Sequence, residues 1–282
     1  MIYSKDNLKK RFIEYLKSKT LLENLSLDIV LIGDDLASKK YTEMKQKIGK
    51  KLGITVNLQH FFEKPKFTDL QNIIKNTKST ALIFQLPIEL EFQPLVLDLP
   101  YVLDVDLLGL GSSQLWQRNF LPPTVGAIDL VLKDIFFSEN QKLDFETFFN
   151  SQLDLNGKKV AVIGQGVLVG YPLVRYLKDR GATIFSFNKF STNIANFTNK
   201  CDILISAAGT KNLIQKTWLN PKAILVDAST SESDGSLVGD INADNIYETN
   251  ILCPSPGGIG NLTVLYLFWN IHKLKTEIRN VL

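Results

Sequence analysis

A lysine that borders an apolar helical stripe can exchange protons near neutral pH. The segment Ser38-Lys39-Lys40-Tyr41-Thr42-Glu43-Met44-Lys45 offers one. Met44, Ile48 and Leu52 recur at helical spacing and predict the buried stripe. Tyr41 and Lys45 are four apart and share a face. Lys45 lies one turn from Ile48, so its ammonium is expected at the edge of that stripe, where desolvation lowers its pKa toward the range useful for acid–base work. Gln85 follows the apolar run 81–84 in Phe84-Gln85-Leu86-Pro87, and a strand's C-terminal end faces the crevice where α/β proteins bind ligands. Leu103-Asp104-Val105-Asp106 sets alternating carboxylates in a loop, and Pro122-Pro123-Thr124 leads into a helical pattern over 128–136.

Two glycine-rich segments could bring backbone close to a ligand. Gly164-Gln165-Gly166-Val167-Leu168-Val169-Gly170 follows the strand-like run 159–163 and precedes a helical pattern. Strand, glycine turn and helix is the context of a dinucleotide-binding loop, although the spacing is one residue longer than the usual fingerprint. Pro254-Ser255-Pro256-Gly257-Gly258-Ile259-Gly260 stands before an apolar helical pattern. Its prolines fix a turn, and its glycines permit close approach.

The elements that must position these residues alternate along the chain. Strands are expected at 29–32, 54–58, 81–84, 160–163, 183–187, 203–206 and 224–227. Helices are expected near 7–16, 39–51, 67–75, 169–180 and 262–274, with Asp34 or Asp35 capping the second. This alternation predicts an α/β chain with parallel sheets covered on both faces. The least regular stretch, 139–156, reads as a connection into a nucleotide domain.

Composition narrows the function classes. The 282 residues are 45% hydrophobic and 22% charged, enough for one large or two modest cores. A net charge of +3 argues for neither nucleic acid nor an anionic membrane as partner. Lys39, Lys40, Lys47, Lys50 and Lys51 read as a solvated face that could attract the anionic tail of a ligand. Cys201 and Cys253 have no paired spacing, which points to a reducing, cytoplasmic setting. With His60 and His272 the only histidines, no His/Cys metal site is expected. The N-terminus shows no apolar signal core, and no apolar run reaches about eighteen residues.

No one of these motifs is specific, but the ordered set is. From about residue 30 to 270 the chain resembles the bifunctional methylenetetrahydrofolate dehydrogenase/cyclohydrolases. That family carries V-G-x-D-x-A-S-x-x-Y-x-x-x-K, Q-L-P, D-V-D-G, P-C-T-P-x-G, G-x-S-x-x-V-G-x-P and P-V-P-G-G-V-G-P-M-T in this order. The resemblance implies that Lys45 is the cyclohydrolase general acid/base, that Tyr41 packs on the pterin side and orients it, and that Gln85 hydrogen-bonds it. It implies that Asp106 accepts from the donor edge of the pterin, and that Pro256, Gly257 and Gly258 line a cleft near folate and nicotinamide. The implied architecture is a folate-binding domain, 1–121 plus 262–282, and a Rossmann-type NAD(P)-binding domain, 122–261. The last helix returns to the first domain, a ligand cleft lies between them, and the chain is a homodimer.

The departures lie at Leu107, where the family has glycine, in Pro122-Pro123-Thr124-Val125-Gly126-Ala127, which stands for P-C-T-P-x-G, at Asn261-Leu262 and in the cofactor segments. Gln165 stands where many members have an arginine that meets the NADP 2′-phosphate. Asn188-Lys189-Phe190-Ser191 replaces H-S-[KR]-T. No carboxylate follows 183–187 to hold a ribose diol, while Lys189 and Ser191 could meet a phosphate, so NADP is expected, with NAD as the alternative. Cofactor contacts are therefore assigned to Gly164, Gln165, Gly166, Gly170, Lys189 and Ser191. The competing readings are another Rossmann dehydrogenase of shikimate type, which leaves Gln85-Leu86-Pro87 unexplained, a non-catalytic folate- or nucleotide-binding relative, and a member that keeps only one activity.

Overall fold

The computed structural model describes residues 1–20, 24–137, 143–233 and 235–279. Its helices are α1 (Asp6–Thr20), α2 (Leu36–Leu52), α3 (Phe67–Asn76), α4 (Gln93–Leu97), α5 (Ser113–Gln117), α6 (Pro123–Phe136), α7 (Phe145–Asn150), α8 (Gly170–Asp179), α9 (Ala195–Thr198) and α10 (Gly260–Lys273). Its strands are β1 (Ser26–Ile32), β2 (Thr55–Phe61), β3 (Ala81–Phe84), β4 (Lys159–Ile163), β5 (Thr183–Phe187), β6 (Ile203–Ser206), β7 (Ile224–Asp227), β8 (Ser231–Ser233), β9 (Ser236–Val238) and β10 (Ile251–Cys253). Two compact units result, one of residues 12–123 with 264–282, the other of 1–11 with 124–263.

The first unit holds a parallel sheet in the order β2-β1-β3. Parallel neighbours require a crossover, and α2 and α3 supply the two. On one face α2 comes so close that a Cβ at Gly49 would stand 2.5 Å from Val56 Cγ2 and 3.2 Å from the Phe268 ring of α10. On the other face Val30, Leu82 and Phe84 pack with Leu70 of α3 and with Phe92, Leu95, Val96, Leu99 and Leu103. Each such side chain contributes about 1.5–3 kcal/mol when fully buried. The last helix does return to this unit. Its Asn270 Nδ2 donates to the carbonyls of Val105 and Leu121, each at 2.9 Å.

The second unit is built on a five-stranded parallel sheet in the order β10-β7-β6-β4-β5. The strand order reverses between β4 and β6, the switch point at which open α/β sheets bind ligands. Residues 1–11 belong here by contact, whereas the expected division put them with the folate-binding segment. The reason is pairing: Tyr3 N donates to Leu252 O at 2.8 Å, and Leu252 N to Met1 O at 2.9 Å, which extends the sheet edge at β10. A buried trio ties helices together, with Tyr176 Oη donating to Asp129 at 2.5 Å and Lys133 bridging Asp129 at 2.9 Å.

All seven expected strands form, with ends moved by up to three residues. The sequence did not announce β8, β9 and β10, each of three residues and too short to show a period. The stretch read as least regular, 139–156, contains α7, capped by Asp144 through Thr147 N at 2.9 Å. Residues 139–142 of that stretch lie outside the described residues. Among the described residues no helix is long and apolar enough to cross a membrane.

Candidate active site

The first site is built on α2 and on the end of β3. Asp35 starts the helix, its carboxylate accepting from Ser38 N at 2.7 Å. Gly53, at φ +74°, ends it in the left-handed conformation that glycine tolerates. Its buried stripe is Ser38, Thr42, Lys45, Ile48, Gly49 and Leu52. This corrects the expected stripe. Met44 is only half-buried, and Lys45 stands within the buried row, 7% exposed.

A buried ammonium needs partners. Lys45 Nζ donates to Gln85 Oε1 at 2.6 Å. The other end of that amide, Nε2, donates to Leu86 O at 3.1 Å, which fixes which face of Gln85 meets the lysine. Two turns earlier on α2, Ser38 Oγ donates to the same Leu86 carbonyl at 3.1 Å. Helix and strand end are thus held at two points along one face. Ser38 was not assigned a role from sequence, yet its spacing of seven from Lys45 placed it on that face.

Asp106 completes the group. Burial pushes the Lys45 pKa down, and the charge of Asp106 pushes back. Burial likewise raises Asp106, against the pull of Lys45. Each charge favours the ionised form of the other against its burial. The alternating carboxylates have different work. Asp104, 2% exposed, accepts from Gly109 N at 2.8 Å and holds its own loop, with burial pushing it up to about 6. Leu107 adopts φ +58°, the left-handed conformation, at the position where the resembling family has glycine. Its side chain is buried, and that burial offsets the backbone strain. Tyr41 sits half-buried one turn before Lys45. Thr42, also on the buried face, has an Oγ1 with no hydrogen-bond partner.

A cavity of about 720 Å³ opens at the other end of the same sheet, among Ser26, Thr55, Asn57, Asn72, Asn76 and neighbours. Its buried carboxylate, Asp28, already accepts from Asn57, Ser79 and Thr77 at 2.6–2.8 Å.

In the second unit the glycines of the β4–α8 loop answer different demands. A Cβ at Gly164 (φ +96°) would stand 2.4 Å from Ala207 O, and one at Gly170 would stand 1.9 Å from Gly164 O. Both are required for strand and helix to meet. A Cβ at Gly166 meets nothing within 4 Å, so only there does the missing side chain leave room above the backbone. A pyrophosphate fits such a bare loop at a helix N-terminus. The loop after β6, which abuts Gly164, is held by Asp240, whose carboxylate accepts from Ser206 Oγ, Ala208 N and Thr210 N at 2.6–2.8 Å.

The side chains expected to reach a 2′-phosphate are partly engaged. Gln165 Nε2 donates back to Gly164 O at 2.8 Å. Ser191 Oγ accepts from Asn188 N at 2.9 Å and closes a turn. Lys189 is exposed, its ammonium 5.1 Å from the Phe190 ring centre. Pro256 and Gly257 lie exposed in the turn before α10, Gly257 at φ +105° with open space about it. Gly258 is buried, and a Cβ there would stand 2.2 Å from Pro254 O. Cys201 and Cys253 are buried free thiols, pushed up by burial to about 11 and about 12.

A model of the tetrahydrofolate dehydrogenase/cyclohydrolase NAD(P)-binding domain matches residues 145–279. The bifunctional protein FolD of Lactobacillus gasseri is 30% identical over 272 residues, covering 93% of this chain and 90% of that protein. The chain belongs to the tetrahydrofolate dehydrogenase/cyclohydrolase family. Solved structures of the family share its fold. The bifunctional FolD enzyme of Campylobacter jejuni superposes with a TM-score of 0.85 at 24% identity, covering all of this chain and 99% of its own. The Trypanosoma brucei enzyme, complexed with NADP and an inhibitor, gives 0.81 at 21% identity, covering 99% and 98%. Family membership and the G-x-G-x-x-x-G loop together identify residues 145–279 as a nicotinamide dinucleotide-binding segment.

Proposed function

We propose that this chain oxidises 5,10-methylenetetrahydrofolate to the methenyl cation with NAD(P)⁺ and hydrolyses that cation to 10-formyltetrahydrofolate. The observation that carries the reading is the buried Lys45–Gln85 hydrogen bond with Asp106 acting on the same ammonium. When bound, the dinucleotide supplies the hydride acceptor. The protein's share of that step is alignment, through the Gly164–Gly170 loop and the turn at Pro256, Gly257 and Gly258. In hydrolysis, neutral Lys45 takes a proton from the water that adds to the methenyl carbon. It returns that proton to N5 as the C–N5 bond breaks and the adduct's hydroxyl gives its remaining proton to solvent, which leaves the formyl group on N10. Gln85 fixes the amine's direction, Tyr41 packs beside the pterin, and Asp106 accepts from adjacent pterin N–H donors.

Mixing the chain with methylenetetrahydrofolate and NADP or NAD tests the reading. Reduced dinucleotide should appear along with methenyl absorbance that then decays. A chain that binds folate and dinucleotide but reduces neither cofactor would be a non-catalytic relative, and the proposal would fall.

For the cofactor we propose NADP, favoured modestly over NAD. The β5 end carries a cation, Lys189, and no carboxylate for a ribose diol. Gln165 is neutral and bonded to its own loop. Gln165→Arg should therefore raise the NADP-to-NAD ratio of kcat/KM, because a guanidinium matches phosphate geometry. An unchanged ratio would show that position 165 does not face the 2′ oxygen.

The family resemblance supports a homodimer formed through the NAD(P)-binding segment. Sedimentation at micromolar concentration should show twice the chain mass, and a monomer there would reject the dimer.

A further inference from the structure

The turn after β5 carries a feature that neither the fold nor the expected phosphate contacts explain. Phe190 is 80% exposed. The turn that presents it is fixed without its help: Asn188 Oδ1 accepts from Phe190 N at 2.9 Å, Asn188 N donates to Ser191 Oγ at 2.9 Å, and Ser191 N donates to Asn188 O at 3.0 Å. The Lys189 ammonium lies 5.1 Å from the ring's centre. An exposed aromatic ring on a polar, self-closed turn contributes little to the core.

Its location gives it a use. β4 and β5 are paired neighbours, with Ile163 opposite Phe187 and Gly164 N donating to Phe187 O at 2.9 Å. The glycine loop and the Asn188–Ser191 turn therefore leave the same sheet edge side by side. In doubly wound folds the pyrophosphate rests on the first and the adenosine end lies beside the second. We propose that Phe190, beside the Lys189 already read as the cation for a 2′-phosphate, is the adenine-stacking platform of this site. The proposal rests on the dinucleotide reading above. An aromatic ring stacks on a base whether or not the ribose carries phosphate, so the ring serves both cofactors equally and Lys189 alone tells them apart.

Calorimetric titration of the full chain with AMP, NAD and NADP tests this. Phe190→Ala should weaken all three by a common factor of roughly ten. Phe190→Trp should keep or improve binding, which a purely structural role would not predict. Lys189→Ala should weaken NADP and leave NAD and AMP nearly unchanged. Thermal unfolding of each variant should match the parent, since both side chains are exposed. Parent-like AMP binding by Phe190→Ala would overturn the platform while the dinucleotide reading stood. A parent chain that binds none of the three would overturn both.

Discussion

Lys45→Met should abolish most of the cyclohydrolase activity and leave the dehydrogenase step standing. The position lies in the buried row of α2, so an unbranched apolar side chain of similar length fills it without a buried charge. What is lost is the proton carrier. General acid–base catalysis contributes about 10²–10⁴-fold, and methenyl hydrolysis should fall by that factor. Hydride transfer needs no proton carrier, so dinucleotide reduction should persist and methenyl absorbance should accumulate. Gln85, left without its donor, keeps its bond to Leu86 O and remains in place. Equal loss of both activities, with an intact fold, would mean that Lys45 positions folate and does not transfer protons.

Asp106→Ala should act through two separate effects. It removes the carboxylate proposed to accept two pterin N–H donors. Charge-assisted hydrogen bonds contribute roughly 1.5–3 kcal/mol each, so folate binding should weaken by about 10²-fold or more. Dinucleotide binding should be nearly untouched. It also removes the charge that opposes the burial shift on Lys45, so the lysine pKa should fall further. Titrating folate and dinucleotide separately checks the first effect. Comparable losses for both ligands would show that Asp106 serves the fold.

The ordered motifs made the family legible in the sequence, and the elements were legible because both sheets are parallel and apolar. The strands at 81–84, 183–187, 203–206 and 224–227 have the expected ends. Periodicity misjudged α2, because it weighs side chains by hydropathy and so gave the core to Met44 and only the margin to Lys45. A buried lysine is recognisable only once Gln85 and Asp106 are seen beside it, and these come from residues 40 and 61 positions away. The separate duties of Asp104 and Asp106 were equally hidden, since alternation alone cannot show that one carboxylate turns back to Gly109 N. In the glycine loop the spacing gave three candidates of equal standing. Only the neighbouring backbone shows that Gly164 and Gly170 are steric necessities and Gly166 is the open one. Phe190 went unassigned because an aromatic residue in a turn has no sequence signature for a base.

The most direct measurement of the central claim, that a buried lysine of lowered pKa carries the hydrolysis, is the pH dependence of methenyltetrahydrofolate consumption with spontaneous hydrolysis subtracted. The enzymatic rate should rise through an ionisation below the ordinary lysine value of about 10.4, since deprotonation creates the base. That limb should vanish in Lys45→Met. The same limb at the same pH in Lys45→Met would contradict the account, because the titrating group would then be something other than Lys45.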